Sequence, residues 1–281
     1  NACFSNLYGV QFASNVTILT ASRNSCRDNV YDGIKILRAR NSVVRSNICA
    51  SNGVTLGVGV TLDRSTNILV ANNTLWSNAR GVYVFNGRSV LCTIRSNDIY
   101  FHKEAGILVD GGPRSNAFEG NRVRRSTRGI VLRGATNNSF VRNTIWSNAV
   151  EGFRTDLAIS RGNVFATNRV WRCVTPVLLD TYSISNTLRA NTVTNAEAGD
   201  AMKIEGGDAN IVEGNFVGRN PAAGITLIRV GADAPVRNTV RGNLVWSNAG
   251  LAGIFLQALR SNTYRSNSIR RNSGPGVVVE G

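Results

Sequence analysis

Strong helix formers are scarce in this sequence. Methionine occurs once, Glu and Lys are few, and Asn, Val, Ile, Thr, Ser and Gly dominate, which excludes a helical bundle and argues against a doubly wound α/β fold. No apolar stretch approaches the roughly 20 residues of a membrane-spanning helix. Proline occurs only 5 times, and no Pro/Ser/Gly-rich linker or long like-charge run divides the 281 residues, so one domain over 1–281 is expected. Acidic groups are also in short supply: 17 Asp and Glu stand against 32 Lys and Arg, a formal net charge of +15. With 42% hydrophobic residues the chain is too apolar to remain disordered, and its basic field should attract polyanions.

What the sequence has in abundance is repetition, with a period of about 23 to 24 residues. Asn73-Thr-Leu-Trp-Ser-Asn78, Asn143-Thr-Ile-Trp-Ser-Asn148 and Asn243-Leu-Val-Trp-Ser-Asn248 show it best. The same frame fits twelve anchors: Asn1, Asn24, Asn47, Asn73, Asn97, Asn121, Asn143, Asn168, Asn191, Asn215, Asn243 and Asn267. Two residues after each anchor lies an unbroken apolar column, from Cys3, Cys26 and Cys49 to Val245 and Ile269, which must point inward. About five residues after the anchors runs a polar column with Asn29, Asn52, Asn78, His102, Ser126, Asn148, Cys173, Asn195 and Asn220. A further asparagine lies before most anchors, among them Asn41, Asn67, Asn116, Asn138 and Asn163. Each repeat therefore holds two short Asn-bounded strands and a Gly-apolar-x-apolar strand. Strands this short cannot close a sandwich, but they can coil into an all-β solenoid of about twelve turns, three strands per turn, with like strands paired in parallel and asparagines stacked into ladders.

The register sorts side chains into columns, and two outward columns are chemically unusual. One carries Trp76, Tyr100, Trp146 and Trp171, an aromatic stripe suited either to sugar rings or to stacking on itself. The other carries Asp63, Asp110, Arg133, Asp156, Asp180 and Glu205, next to a column with Arg154 and Lys203. Carboxylates one turn apart repel by about 1 to 3 kcal/mol per pair, so compensation is expected. Arg133 is placed to supply it between Asp110 and Asp156; for Asp156, Asp180 and Glu205 the candidates are a calcium ion or the neighbouring Arg and Lys. His102, the only histidine, falls on the ladder and reads as structural. The cysteines lack zinc-site spacing and read as buried free thiols.

The pattern Asn-x-Ile-x-x-Asn…Gly-Ile-x-Leu resembles the right-handed parallel β-helix superfamily, which includes polysaccharide lyases, mannuronan epimerases, NosD-like periplasmic proteins and tailspike-like adhesins. The resemblance implies a right-handed coil, an extracytoplasmic setting (secreted, cell-surface or periplasmic) and an anionic polysaccharide as partner, with no specific nucleic acid. Glu151-Gly-Phe-Arg-Thr-Asp156 is similar to the Asp-Gly-Phe-x-x-Asp stretch of the mannuronan epimerases, whose final Asp is catalytic, so the resemblance assigns that role to Asp156. Their Tyr-Gly-Phe-Asp-Pro-His motif corresponds here to Arg128-Gly-Ile-Val-Leu-Arg133, so lyase-like cleavage is the chemistry expected. The candidate catalytic set is Arg133, Arg154, Asp156, Asp180, Lys203 and Glu205, with Asp156, Asp180 and Glu205 as metal ligands and the Trp76, Tyr100, Trp146 and Trp171 stripe binding substrate. The alternative is a non-catalytic structural, adhesin or NosD-like rod. The absence of evident end caps, with the sequence starting on a ladder asparagine and stopping at Val277-Val-Val-Glu-Gly281, points to a fragment, self-association or capping by another chain.

Overall fold

A computed structural model describes residues 1–280 apart from 14, 54, 232 and 258–260; Gly281, the last residue of the edge noted above, lies outside the described residues. The described chain contains no helix. Three long parallel sheets run along a solenoid, two of 12 strands and one of 11, so the twelve anchors make about eleven complete turns. In the middle of the rod one turn consists of Thr93–Arg95, Asp98–Tyr100 and Ala105–Asp110, contributed to the third, first and second sheets respectively.

The inward column of the first sheet has the expected register throughout: Cys3 pairs with Cys26, Cys26 with Cys49, Cys49 with Leu75 and Leu75 with Ile99, continuing to Val245 with Ile269. Period-two alternation explains this, because one residue in the centre of each three-residue strand must face the interior. The third sheet contributes Val44, Val70, Phe118, Phe140, Phe165 and Leu188, all buried. Phe118 and Phe140 stack with centroids 4.5 Å apart. The main apolar core of the described residues runs from Phe12 to Leu256. The five cysteines are free, and all but Cys3 are buried.

Asparagine ladders close two corners. Asn97 donates its backbone N–H and its side-chain amide to Asn121 Oδ1, at 3.1 and 3.0 Å, and the Asn121 amide in turn reaches Asn143 Oδ1 at 3.0 Å and Ile94 O at 2.9 Å. Buried backbone groups at the bends are thereby satisfied from turn to turn. His102 takes an asparagine's place in the second ladder, where its Nδ1 accepts the Asn78 N–H at 3.3 Å and its Nε2 lies 3.1 Å from Leu75 O. Burial pushes the imidazole down to about 4, so it is neutral.

Three asparagines expected on ladders lie one residue off them. Asn41, Asn67 and Asn195 are exposed corner residues with φ of 49°, 54° and 52°, and the ladder passes through Ser42, Ile68 and Ala196 instead. Asparagine tolerates the left-handed region as well as it fills a ladder, so composition does not distinguish the two positions.

In the strand Val58–Asp63, Gly59 is the register partner of Gly81. Glycine is required in this column by close approach. A Cβ on Gly81 would lie 2.5 Å from Gly106 O and 2.8 Å from His102 Nε2. The longer turn after Ile228 folds into a loop closed by paired backbone hydrogen bonds between Val230 and Asp233, both 3.0 Å.

Candidate functional site

The outer face of the second sheet gathers the charged residues. Its strands here are Arg80–Phe85, Ala105–Asp110, Arg128–Arg133, Glu151–Thr155, Thr175–Leu179 and Met202–Glu205. Alternation turns the second and fourth side chains after each opening glycine outward, which places Arg154 and Asp156 on the same face as Arg133 of the preceding turn.

Arg133, Arg154 and Asp156 meet directly. Asp156 accepts from Arg154 Nη2 at 2.9 Å and from Arg133 Nη2 at 3.3 Å. Arg154 also holds Glu151 at 2.6 Å, Arg128 holds the other Glu151 oxygen at 3.0 Å, and Arg133 reaches back to Glu104 at 3.2 Å. Arg80 completes the chain through Glu104. Burial works against the Arg154 charge, but hydrogen bonding and attraction to Glu151, aided by Asp156, outweigh it and hold the guanidinium above its usual range. Arg154 is therefore a fixed cation rather than a proton acceptor. Its Nε–H is buried without a hydrogen-bond partner among the described residues, an uncommitted donor inside a dense ionic network.

The compensation expected at Asp110 takes a different form. Arg133 turns to Asp156 and Glu104, and Asp110 accepts instead from the Tyr83 hydroxyl at 3.4 Å. Because Glu104 precedes one strand and Arg133 ends the next, their ion pair crosses the outward column containing Leu108 and Val131, which are buried although they lie on the outer face. Tyr83 packs against the same apolar strip, with Arg80 Cζ 4.7 Å from its ring centroid.

Asp180 follows Asp156 in the register but turns inward. Its Oδ1 accepts the Tyr182 N–H at 3.1 Å and the Thr155 hydroxyl at 3.2 Å, as a turn-capping carboxylate does. Burial pushes this carboxyl up to about 6, the two hydrogen bonds oppose the rise, and the charge of Asp156 adds to it. Lys203 and Glu205 form a pair of their own at 2.6 Å.

This arrangement does not fit calcium. Both Asp156 oxygens face guanidinium groups, Asp180 binds its own turn and Glu205 binds Lys203; among the described residues no three Asp, Glu, His or Cys are grouped to hold a metal ion. Neighbouring cations relieve the repulsion between carboxylates, so no divalent ion is needed.

Four members of this network, Arg80, Glu104, Arg128 and Glu151, lie outside the candidate set, Arg128 and Glu151 having entered only as the first residues of the two motif segments. Their signal was a charged residue one or two places before each turn glycine, visible in Arg80-Gly81, Arg128-Gly129 and Glu151-Gly152.

The aromatic stripe lies on the first sheet and stacks on itself. Trp76 and Tyr100 are parallel within 8°, Trp146 and Trp171 lie 5.3 Å apart and within 7°, and Arg124 bridges the pairs at 4.1 Å from Tyr100 and 5.6 Å from Trp146. All four rings are half-buried. Tyr100 and Trp146 thus each have a ring and a guanidinium as neighbours, and what remains of the half-buried stripe for contact with a ligand is its outer edge.

The solenoid resembles solved structures at low sequence identity. The crystal structure of Dettilon tailspike protein (gp208) aligns with a TM-score of 0.74 at 14% identity, covering 95% of this chain and 61% of that one. The periplasmic alginate epimerase AlgG gives 0.64 at 14% identity, covering 90% and 76%, and DFA-IIIase from Arthrobacter chlorophenolicus A6 gives 0.61 at 12%, covering 92% and 71%. At such identities the likeness establishes the fold. No curated protein matches the sequence. The family described as right handed beta helix region matches residues 1–90, 58–239 and 185–281, overlapping segments that together span the chain. Repeat, ladders, register and family match agree, and the chain belongs to the right-handed β-helix family.

Proposed function

We propose that this protein is an extracytoplasmic β-helix that binds an anionic polysaccharide along the outer face of its second sheet. The observation that carries the reading is the guanidinium row Arg80, Arg128, Arg133 and Arg154 on one half-exposed face. A carboxylate arriving beside Arg133 and Arg154 finds charge-assisted donors already held in place by Glu104, Glu151 and Asp156. The alginate epimerase named above is periplasmic and acts on a polyuronate, and the likeness to it supports both the compartment and the ligand class. The Trp76, Tyr100, Trp146 and Trp171 stripe serves as a secondary sugar-contacting surface.

Lyase-like cleavage is a second reading, favoured by one observation. Burial pushes the Asp180 carboxyl up to about 6, within the range of a group that exchanges a proton near neutrality, and it follows Asp156, which lies between two cations, in the register. In that reading Arg133 and Arg154 bind the substrate carboxyl, and Lys203 with Glu205 contacts the chain further along. Asp180 would have to leave its turn to reach substrate, which is why binding is placed first.

Proton NMR of the protein with a panel of polyuronates in deuterated water separates the readings. Saturation transfer to the polymer without new signals gives binding; unsaturated-sugar signals give a lyase; deuterium at C5 without cleavage gives an epimerase. A panel with no transfer and no new signals overturns the proposal and leaves the rod as a structural element.

A further inference from the structure

A second cluster of arginines lies outside the face just described. At the corner between the second and third sheets, Arg38, Arg40, Arg64, Arg88 and Arg114 line one cavity of about 420 Å³. The fold stacks them. Arg38 and Arg64 immediately follow the strands Ile34–Leu37 and Val58–Asp63, while Arg40 and Arg114 belong to one run of parallel bridges through Thr66 and Val90. Successive turns are only about 4.8 Å apart, so like charges are held much closer than a screening length.

Several guanidinium groups elsewhere on this protein meet carboxylates, as Arg124 meets Asp98, Arg128 meets Glu151 and Arg241 meets Glu213, while others such as Arg45 and Arg142 have none within reach among the described residues; what sets this corner apart is that its five arginines share one cavity. Of these five, only Arg64 has an acid within reach among the described residues, Asp63 at 3.8 Å, and the other four have none. The solenoid thus gathers five cations in one cavity and supplies at most one counter-charge, leaving the rest to solvent ions or a ligand.

We propose that this corner is a second anion site, built for the sulfate or phosphate ester groups of a densely charged glycan. The guanidinium fork matches tetrahedral oxyanions with paired hydrogen bonds. A polyuronate carries one carboxylate per sugar, and a polymer with more than one anionic group per sugar better answers five cations in so short a span. Among the described residues the lining holds no aromatic ring on which bases could stack, which disfavours single-stranded nucleic acid. The glycan nature of the polymer rests on the function proposed above; the site itself rests on the arginines.

The test compares dextran sulfate, uncharged dextran, polygalacturonate and single-stranded DNA as probes, by titration at about 150 mM salt. The variant is Arg38→Ser/Arg64→Ser/Arg88→Ser. Serine already occupies the left-handed corner conformation at Ser46, Ser51 and Ser77, as Arg38 and Arg64 do, and all three arginines are exposed, so folding should survive and is checked by circular dichroism. The expected result is that dextran sulfate binds and the triple variant weakens it about tenfold or more with a shallower salt dependence, while polygalacturonate binding is unchanged. Dextran sulfate binding no better than dextran, or unaffected by the variant, overturns the proposal, as does DNA binding as tight as dextran sulfate and lost in parallel. Failure of polygalacturonate alone counts against the sheet-face function and leaves this site standing.

Discussion

His102 Nδ1 accepts the Asn78 backbone N–H at 3.3 Å, the role that Asn78 Oδ1 plays for Asn52 N–H at 2.8 Å one turn earlier. An imidazole can replace an amide carbonyl in the ladder only while Nδ1 is unprotonated.

This bond gives the protein an acid-sensitive rung. Held near 4 rather than the ordinary 6.5, His102 has a depressed pKa, so its contribution is intact above 6.5 and is lost as pH falls toward 4, by about 3 kcal/mol in all. Asp180, raised from 3.8 to about 6, works in the opposite sense: its contribution is full below 3.8 and is lost as pH rises through 6. The two partly cancel between pH 4 and 6. Denaturant titrations across this range should show His102→Asn losing the acid-side decline and keeping the Asp180 trend. An unchanged pH slope would remove His102 from the account.

Ladder and corner asparagines should separate sharply in stability. Asn121→Ala removes two donated and two accepted hydrogen bonds in a buried stack and should cost about 3 kcal/mol. Asn67→Gly, which keeps a residue at ease at a φ of 54°, removes one exposed bond, to Asn41 at 2.8 Å, and should stay within about 0.5 kcal/mol. Urea unfolding midpoints with unchanged m-values check both.

The ionic network makes a directional prediction for ligand binding. Asp156→Asn frees Arg133 and Arg154 from a competing carboxylate, so polygalacturonate should bind several-fold tighter while any turnover disappears. Arg154→Met should weaken binding about tenfold. Calcium or EDTA should leave the melting temperature unchanged, since the carboxylates are already paired with cations. A calcium-dependent rise would show that they rearrange around an ion.

Trp146→Ala breaks the 5.3 Å stack on Trp171 and should cost about 1 kcal/mol beyond lost burial. Near-ultraviolet circular dichroism should lose the coupled-indole signal. If the stripe contacts sugar, the remaining tryptophan fluorescence will respond less to oligosaccharide than in the parent chain.

The sequence by itself determined the solenoid, its period and nearly every column. Residues one turn apart become contact neighbours, so the alternation that turns Leu75 inward and Trp76 outward is copied from rung to rung. The tertiary structure decided what those columns do. Asn41, Asn67 and Asn195 lie beside the ladders because a left-handed corner residue and a ladder residue favour the same side chain. Asp180 folds into its own turn, where Tyr182 N–H and Thr155 offer nearer partners than solvent. Arg133 chose Glu104 and Asp156 over Asp110, a choice open to it because arginine is long enough to cross a column and a turn. Backbone register is set locally and repeats, whereas the pairing of long charged side chains depends on everything within their reach, and only the folded rod brings those groups together.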